Sequence, residues 1–353
     1  MTLLRKDQQE VHKIPLPPDF EAEILQFHKT LQDFSLIQNS KRIAFIQKSH
    51  QFHELLLRPI DAHLQSNEDL IIIGQGILQY LPFEILLSNP TDNEFQLLDF
   101  LVKTHAISYY FQPEDFLQSK ATSASHFSKN LLGFAPVFQA KNTETNGISS
   151  RYIATENEHS TSFFDDIPPL PYSEQEIKNI PEVFPVSAVL LLHQQAQKAT
   201  LKEQLQQNFQ YVHIASHSFA NFEDKNQAGI LCAGGPNECD PAYEILYTRD
   251  IEKLQIQSDL VVLSSCQSGV GQLTVDGIQG IHRSFYKAGA KNVVFSLWKV
   301  NDRICQQFMT TFYSAIAEGQ SYSKALRAAK LSLLENENTA SPNVWAAFLM
   351  IGR

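Results

Sequence analysis

Two residues are best placed to do chemistry, Cys266 and His217, and each stands where an apolar run gives way to small polar residues. In SDLVVLSSCQSGVG the β-branched run at 260–263 stops before Cys266, and Gly269 and Gly271 follow. In YVHIASHS the run ends the same way at His217. The carboxyl end of a buried strand is where open α/β sheets place their reactive groups. An unperturbed thiol, with a pKa near ~8.5, ionises only partly at neutrality, so a nucleophilic cysteine needs a neighbour that takes its proton. An imidazole serves, which makes Cys266 the nucleophile and His217 the general base and then acid. The developing oxyanion requires backbone N–H donors, for which the amides of Cys266 and Ser218 are the candidates. Singly, a cysteine in an apolar strand is most often a small buried hydrophobe, and a strand-end histidine a satisfied core residue. The reading rests on the pair.

Other cysteine chemistries fit poorly. A phosphatase loop calls for an Arg shortly after the thiol, where this chain has Gly271, Gln272 and Leu273. A dinucleotide site calls for G-x-G-x-x-G, and Gly269 and Gly271 have no third glycine in register. Cys232, Cys239 and His213 match no close zinc-ligand pair, so no metal and no cofactor is expected. Cys232, Cys239 and Cys305 read as structural or incidental. His213 lies four residues before His217 on the same face of the strand, either as core or as support for the site.

The elements that must position the pair follow from patterning. The 353 residues suffice for one large domain or two smaller ones. Residues 1–68 read as a helical segment: Asp19 is a candidate N-cap, Ile24, Leu25, Phe27, Leu31 and Phe34 recur at helical spacing, and a second helix starts near Lys41. No repeat of roughly 34 residues is visible there. From residue 69 short apolar runs alternate with helical stretches, the α/β signature. Strands are expected at 70–74, 106–112, 131–137, 188–194, in YVHIASHS, at 260–263, at 292–297 and in the closing WAAFLMIG. Helices are expected from Ser173 as cap, at 198–207, at 277–288, from Asp302 to Gly319, and after Ser321 or Ser323. The polar stretch 139–166 reads as a long surface loop.

Composition excludes several classes. A formal net charge of −10 and no basic stripe argue against a nucleic-acid surface. No apolar run approaches the roughly 20 residues of a membrane span, and the first residues lack a signal-peptide core. Four irregularly spaced cysteines suit a reducing cytoplasm better than a disulfide framework.

The stretches LIIIGQGILQYLPFEILL, LPYSEQEIKNI, YVHIASHS, LSSCQSGVG, GIQGIHRSFYKAGAKNVVFSLWKVND, LRAAKLSLL and WAAFLMIG resemble the CHAT peptidases, caspase-like proteins in one clan with caspases and separase. The resemblance covers 69–353. It implies a caspase-like α/β/α sandwich with a largely parallel central sheet, a degenerate first half at 69–195 and a catalytic half at 196–353. His217 precedes Cys266 by 49 residues, against roughly 50 in caspases. Gln267-Ser-Gly departs from the caspase signature, and Ser218 stands where caspases usually have Gly. SLWKVND resembles the separase stretch in which an acidic residue accepts the basic side chain before the scissile bond. Carried over, that residue is Asp302, with Trp298 as a pocket wall and Asp276 and Asp250 as lesser candidates; a helix cap is the alternative role for Asp302. The resemblance thus implies a cysteine endopeptidase cutting a partner protein after Arg or Lys. It also implies activation by a partner or signal in bacterial defence or signalling, with an activating or helical-repeat protein as the candidate partner. If the specificity is basic, Lys141 and Arg151 make the 139–166 loop a candidate for self-cleavage. The alternative is a latent or inactive caspase-like scaffold acting through protein–protein contacts.

Overall fold

The computed structural model describes residues 2–5, 8–121, 127–138, 168–234, 243–265, 268–274 and 277–353. The loop expected at 139–166, with Lys141 and Arg151, lies outside them, as do Cys239, Cys266 and Asp276.

Eight strands form the main sheet: β1 Asp69–Ile73, β2 Ala106–Tyr110, β3 Lys129–Ala135, β4 Ala188–Leu192, β5 Phe209–Ala215, β6 Leu260–Ser264, β7 Asn292–Ser296 and β8 Phe348–Ile351. Their order is β1-β2-β8-β7-β6-β5-β3-β4. All neighbouring pairs are parallel except β7 with β8, where the sheet reverses once. β2, β5, β6, β7 and β8 are buried along nearly their whole length, which explains their unbroken apolar runs. The expected strands are therefore present, and the sheet is mostly parallel as expected.

The helices include α1 Phe20–Leu31, α2 Asn39–Leu56, α3 Pro113–Ala121, α4 Ser173–Val183, α5 Lys198–Leu205, α6 Thr248–Ile251, α7 Ile281–Lys287, α8 Asp302–Ala317 and α9 Tyr322–Leu334. Side-chain register sorts several of them into two layers. His213 of β5, Val262 of β6 and Val294 of β7 are cross-strand neighbours and share one face. His213 bonds to Glu176 of α4 and Tyr313 of α8, so those helices cover that face. Phe295, the next residue along β7, points the other way and stacks on His282 of α7 with ring centroids 4.4 Å apart. The sheet is thus sandwiched.

Several boundaries differ from the pattern reading, each for a local reason. The helix expected at 277–288 begins at Ile281, because Gln272–Thr274 and Gly277–Gln279 form an antiparallel hairpin. Gly277 has φ +97°, a left-handed conformation that residues with a Cβ rarely adopt, so the hairpin strand beside Gln79 favours glycine there. The cap of α4 is Tyr172, and Ser173, the expected cap, instead donates its hydroxyl to the Leu170 carbonyl at 2.8 Å. Helix α8 is capped by Asn301, whose side chain accepts from the N–H groups of Arg303 and Ile304. Asp302 is therefore the first residue of the helix and not its cap. Residues 2–11 contain a hairpin, Thr2–Arg5 with Gln8–Val11, that the helical reading missed.

Helices α1 and α2 bury Phe20, Ile24, Phe27, Leu31, Phe45, Ile46, Phe52 and Leu56, and these belong to one continuous apolar core with the sheet. Phe27 stacks on Phe45 at 5.5 Å. Leu25, counted with the apolar stripe in sequence, is 42% exposed.

Candidate active site

Strands β5 and β6 run parallel in register from Tyr211 with Leu260 to Ala215 with Ser264. Beyond Ala215 the chain turns aside. Ser216 donates to the Leu231 carbonyl at 2.6 Å, and the Leu231 N–H donates to the His217 carbonyl at 2.9 Å. Ser218–Phe219 then pairs with Gly229–Ala233, which pairs with Tyr243–Tyr247 in a small antiparallel sheet. His217 is thereby clamped at the junction of two sheets. The bonded pairing of His217 with Leu231 makes Ser218 with Ile230 a non-hydrogen-bonded pair, so the Ser218 N–H is directed away from Ile230.

The His217 ring is buried, with Nε2 2.7 Å from the Pro168 carbonyl oxygen and the Phe138 ring 5.3 Å away. A carbonyl only accepts, so Nε2 carries a proton in this contact. Cys266 follows Ser264 by two residues, as His217 follows Ala215, and lies outside the described residues.

Asp302 is 1% exposed, and its Oδ2 accepts the Tyr172 N–H at 2.7 Å. One short segment, 168–172, therefore touches His217 through Pro168 and Asp302 through Tyr172. Trp298 is equally buried, donates Nε1–H to the Asn343 carbonyl at 2.8 Å and meets His28 of α1 edge-on at 5.8 Å. Its described contacts are those of a core residue joining α1 to the end of β7. Asp250 pairs with Lys198 at 2.9 Å. His213 is held between Glu176 Oε1 at 2.8 Å and the Tyr313 hydroxyl at 3.0 Å, so it belongs to the α4–β5–α8 layer. Cys232 and Cys305 are buried, and burial pushes the Cys232 thiol well above its ordinary pKa. Among the described residues, no group of three or more His, Cys, Asp and Glu side chains could hold a metal ion. No described helix is long and apolar enough to cross a membrane.

Pattern reading missed the Pro168 carbonyl and the Tyr172 N–H, because backbone partners leave no residue-type signal. It also missed His282 and Ser296, which meet the two sides of the turn after β6. The Ser296 hydroxyl donates to the Ser265 carbonyl at 2.6 Å, and the Ser296 N–H donates to Ser268 Oγ at 3.1 Å. Both the backbone N–H and Nδ1 of His282 reach the Ser268 carbonyl, at 3.0 and 2.9 Å.

A largely parallel α/β sandwich with a buried histidine clamped past the end of a central strand defines the class. The CHAT domain family model matches residues 47–353, and the chain belongs to that family. The match begins inside α2, ahead of the domain boundary expected at residue 69. Tetratricopeptide repeat protein 28 of Homo sapiens is 36% identical over 117 residues, and that of Mus musculus 35%. This alignment covers 33% of the chain and spans only 5% of the length of either relative. Two solved structures are similar at lower identity. The Arg-specific cysteine proteinase gingipain R gives a TM-score of 0.47 at 9% identity, covering 96% of this chain and 75% of its own. The Saccharomyces cerevisiae separase–securin complex gives 0.48 at 13%, covering 94% of this chain and 20% of its own.

Proposed function

We propose that this chain is a caspase-like cysteine endopeptidase in which Cys266 is the nucleophile and His217 the general base and acid. The observation that carries the reading is the His217 clamp: the Pro168 carbonyl fixes the proton on Nε2 and leaves Nδ1 to take the thiol proton. The register of β5 and β6, which sets the chain segments leading to His217 and Cys266 side by side, supports the pairing. Thiolate attack on the scissile carbonyl forms a tetrahedral oxyanion, for which the backbone N–H groups of Cys266 and Ser218 are the donors. His217 then passes its proton to the leaving amine, and water hydrolyses the acyl-enzyme.

Asp302 is the specificity residue in this reading, selecting Arg or Lys before the scissile bond. Its burial one short segment from the His217 partner supports this, and its engagement by the Tyr172 N–H supports a form awaiting activation. Residues 196–353 form the catalytic half and 69–195 a degenerate first half. The substrate is a partner protein, and a partner or signal in bacterial defence or signalling switches the enzyme on. A tetratricopeptide repeat is built from paired helices, and its presence in the name of the relatives supports a helical-repeat activator. The burial of His217 equally suits a latent scaffold, the second reading. Incubation with an Arg-peptidyl acyloxymethyl ketone, followed by mass mapping, separates the two. Adduct at Cys266 that is lost in His217→Ala supports the peptidase; no adduct at Cys266, with or without candidate partners, supports the scaffold.

A further inference from the structure

The turn after β6 is held from two sides by polar groups that the packing of the core does not require. Ser265 and Ser268, which flank positions 266 and 267 in sequence, are 2% and 0% exposed. Ser296, at the end of β7, donates through its hydroxyl to the Ser265 carbonyl and through its N–H to Ser268 Oγ. Its own carbonyl accepts from the Gly269 N–H at 2.8 Å. From the opposite side, His282 at the start of α7 reaches the Ser268 carbonyl twice, through its backbone N–H and through Nδ1. The His282 ring cannot swing away, because it stacks on Phe295 at 4.4 Å and meets Phe111 at 5.4 Å. Gly269 completes the fit, since a Cβ there would meet the Phe295 ring at 2.2 Å.

Such an arrangement is a poor way to stabilise a core. Buried hydroxyls and an imidazole lose their hydration, and the Ser265 hydroxyl is buried with no hydrogen-bond partner among the described residues. Local departures from good packing chemistry are expected where a site must be held in one geometry. Burial also lowers the His282 pKa to about 3, so the ring is neutral near neutrality, and its contact with a carbonyl places the proton on Nδ1.

We propose that His282 and Ser296 are positioning residues for the nucleophile: they fix the Ser265 and Ser268 carbonyls, which flank positions 266 and 267 in sequence, and so hold the segment that carries Cys266. This rests on the peptidase reading. Neither residue touches substrate; both act through the turn they hold, where a misplacement near 1 Å costs on the order of a hundredfold in rate.

The test uses the full chain and iodoacetamide, with carbamidomethylation at Cys266 quantified by peptide mapping from pH 5 to 9. In the wild type Cys266 should alkylate with an apparent pKa below that of an unperturbed thiol. His282→Phe keeps the ring between Phe295 and Phe111 but removes the Nδ1 donor, and should slow alkylation about tenfold and raise the apparent pKa. His282→Asn, whose side-chain amide can still donate to Ser268, should restore most of the rate. Ser296→Ala, an independent route to the same turn, should slow alkylation in the same direction. Alkylation in His282→Phe and Ser296→Ala that matches the wild type, with a reactive wild-type Cys266, overturns the positioning role and leaves the dyad standing. A loss confined to temperatures near a variant's own Tm also overturns it, since that is the signature of mere destabilisation. A Cys266 that stays unreactive in the wild type both with and without candidate partner proteins overturns the dyad itself and the positioning role with it.

Discussion

At the scale of single residues, the proposed function rests on three side chains, Cys266, His217 and Asp302. In that proposal His217 takes and returns one proton, a task worth about 10²–10⁴-fold. His217→Ala should therefore lower kcat/KM for peptide hydrolysis by that range, as steady-state rates measured well below the variant's own melting transition would show. Asp302→Ala should cost about 2–5 kcal/mol in transition-state binding for Arg and Lys substrates, the penalty of burying the substrate cation without its partner. Equal rates of wild type and variant on Arg peptides would contradict that assignment. Two buried histidines give the fold an acid limit. Burial lowers His28 to about 4 and His282 to about 3, against 6.5 for an exposed imidazole. The unfolded chain thus binds protons that the folded chain refuses between about pH 6.5 and 4. Stability is full above that window and falls through it as pH is lowered, by up to about 1.4 kcal/mol per pH unit for each group. A Tm that stays flat from pH 6.5 to 4 would count against this. Which of these residues the sequence displayed depended on the chemistry: a thiol and an imidazole at strand ends are visible as letters. The Pro168 carbonyl that accepts from His217 Nε2 is not, because any residue supplies a carbonyl.

At the scale of elements, buried strands read clearly because both of their faces are apolar, while helix starts read poorly. Ser173 and Asp302 look like caps by residue type, yet Tyr172 and Asn301 occupy those positions. Both displaced side chains bond elsewhere instead, Ser173 to Leu170 and Asp302 to Tyr172. The hairpin ending at Gln279 was hidden inside a helical pattern because its stabilising contact is tertiary: Gln79 Oε1 accepts the Ile278 N–H at 2.8 Å. Long-range partners also tie α9 to the first half of the chain. Lys330 pairs with Glu84 in full burial, Glu84 in turn accepts the Tyr109 hydroxyl, and burial pushes the Lys330 ammonium below its ordinary pKa. Lys330→Ala leaves Glu84 buried without its cation and should destabilise the protein by about 3–5 kcal/mol in urea denaturation. Lys330→Ala unfolding at the wild-type urea midpoint would contradict this. At Trp298 the contacts to His28 and Asn343 predict a loss of about 3–5 kcal/mol for Trp298→Ala, from the cavity left in the core.

At the scale of the whole molecule, the alternation of strands and helices was enough to anticipate a mostly parallel sandwich. The single reversal between β7 and β8 was not legible, because an antiparallel neighbour changes no residue preference inside a fully buried sheet. Nor was the degree to which α1 and α2 complete the core: their apolar faces required a partner, but only the fold shows that the partner is the same core that backs β5 and β6. The site is thus supported from both halves of the chain. Segment 168–172 holds His217 and Asp302, while Tyr80 donates to the Gly271 carbonyl at 3.2 Å, five residues past Cys266. The most direct test of the account is a mass-spectrometric map of new peptide ends in a proteome-derived peptide library, comparing wild type, Cys266→Ala and His217→Ala, with and without candidate partner proteins. The account predicts new ends following Arg or Lys with the wild type and none with either variant. No new ends with the wild type under any of these conditions, or the same ends with Cys266→Ala, would contradict it.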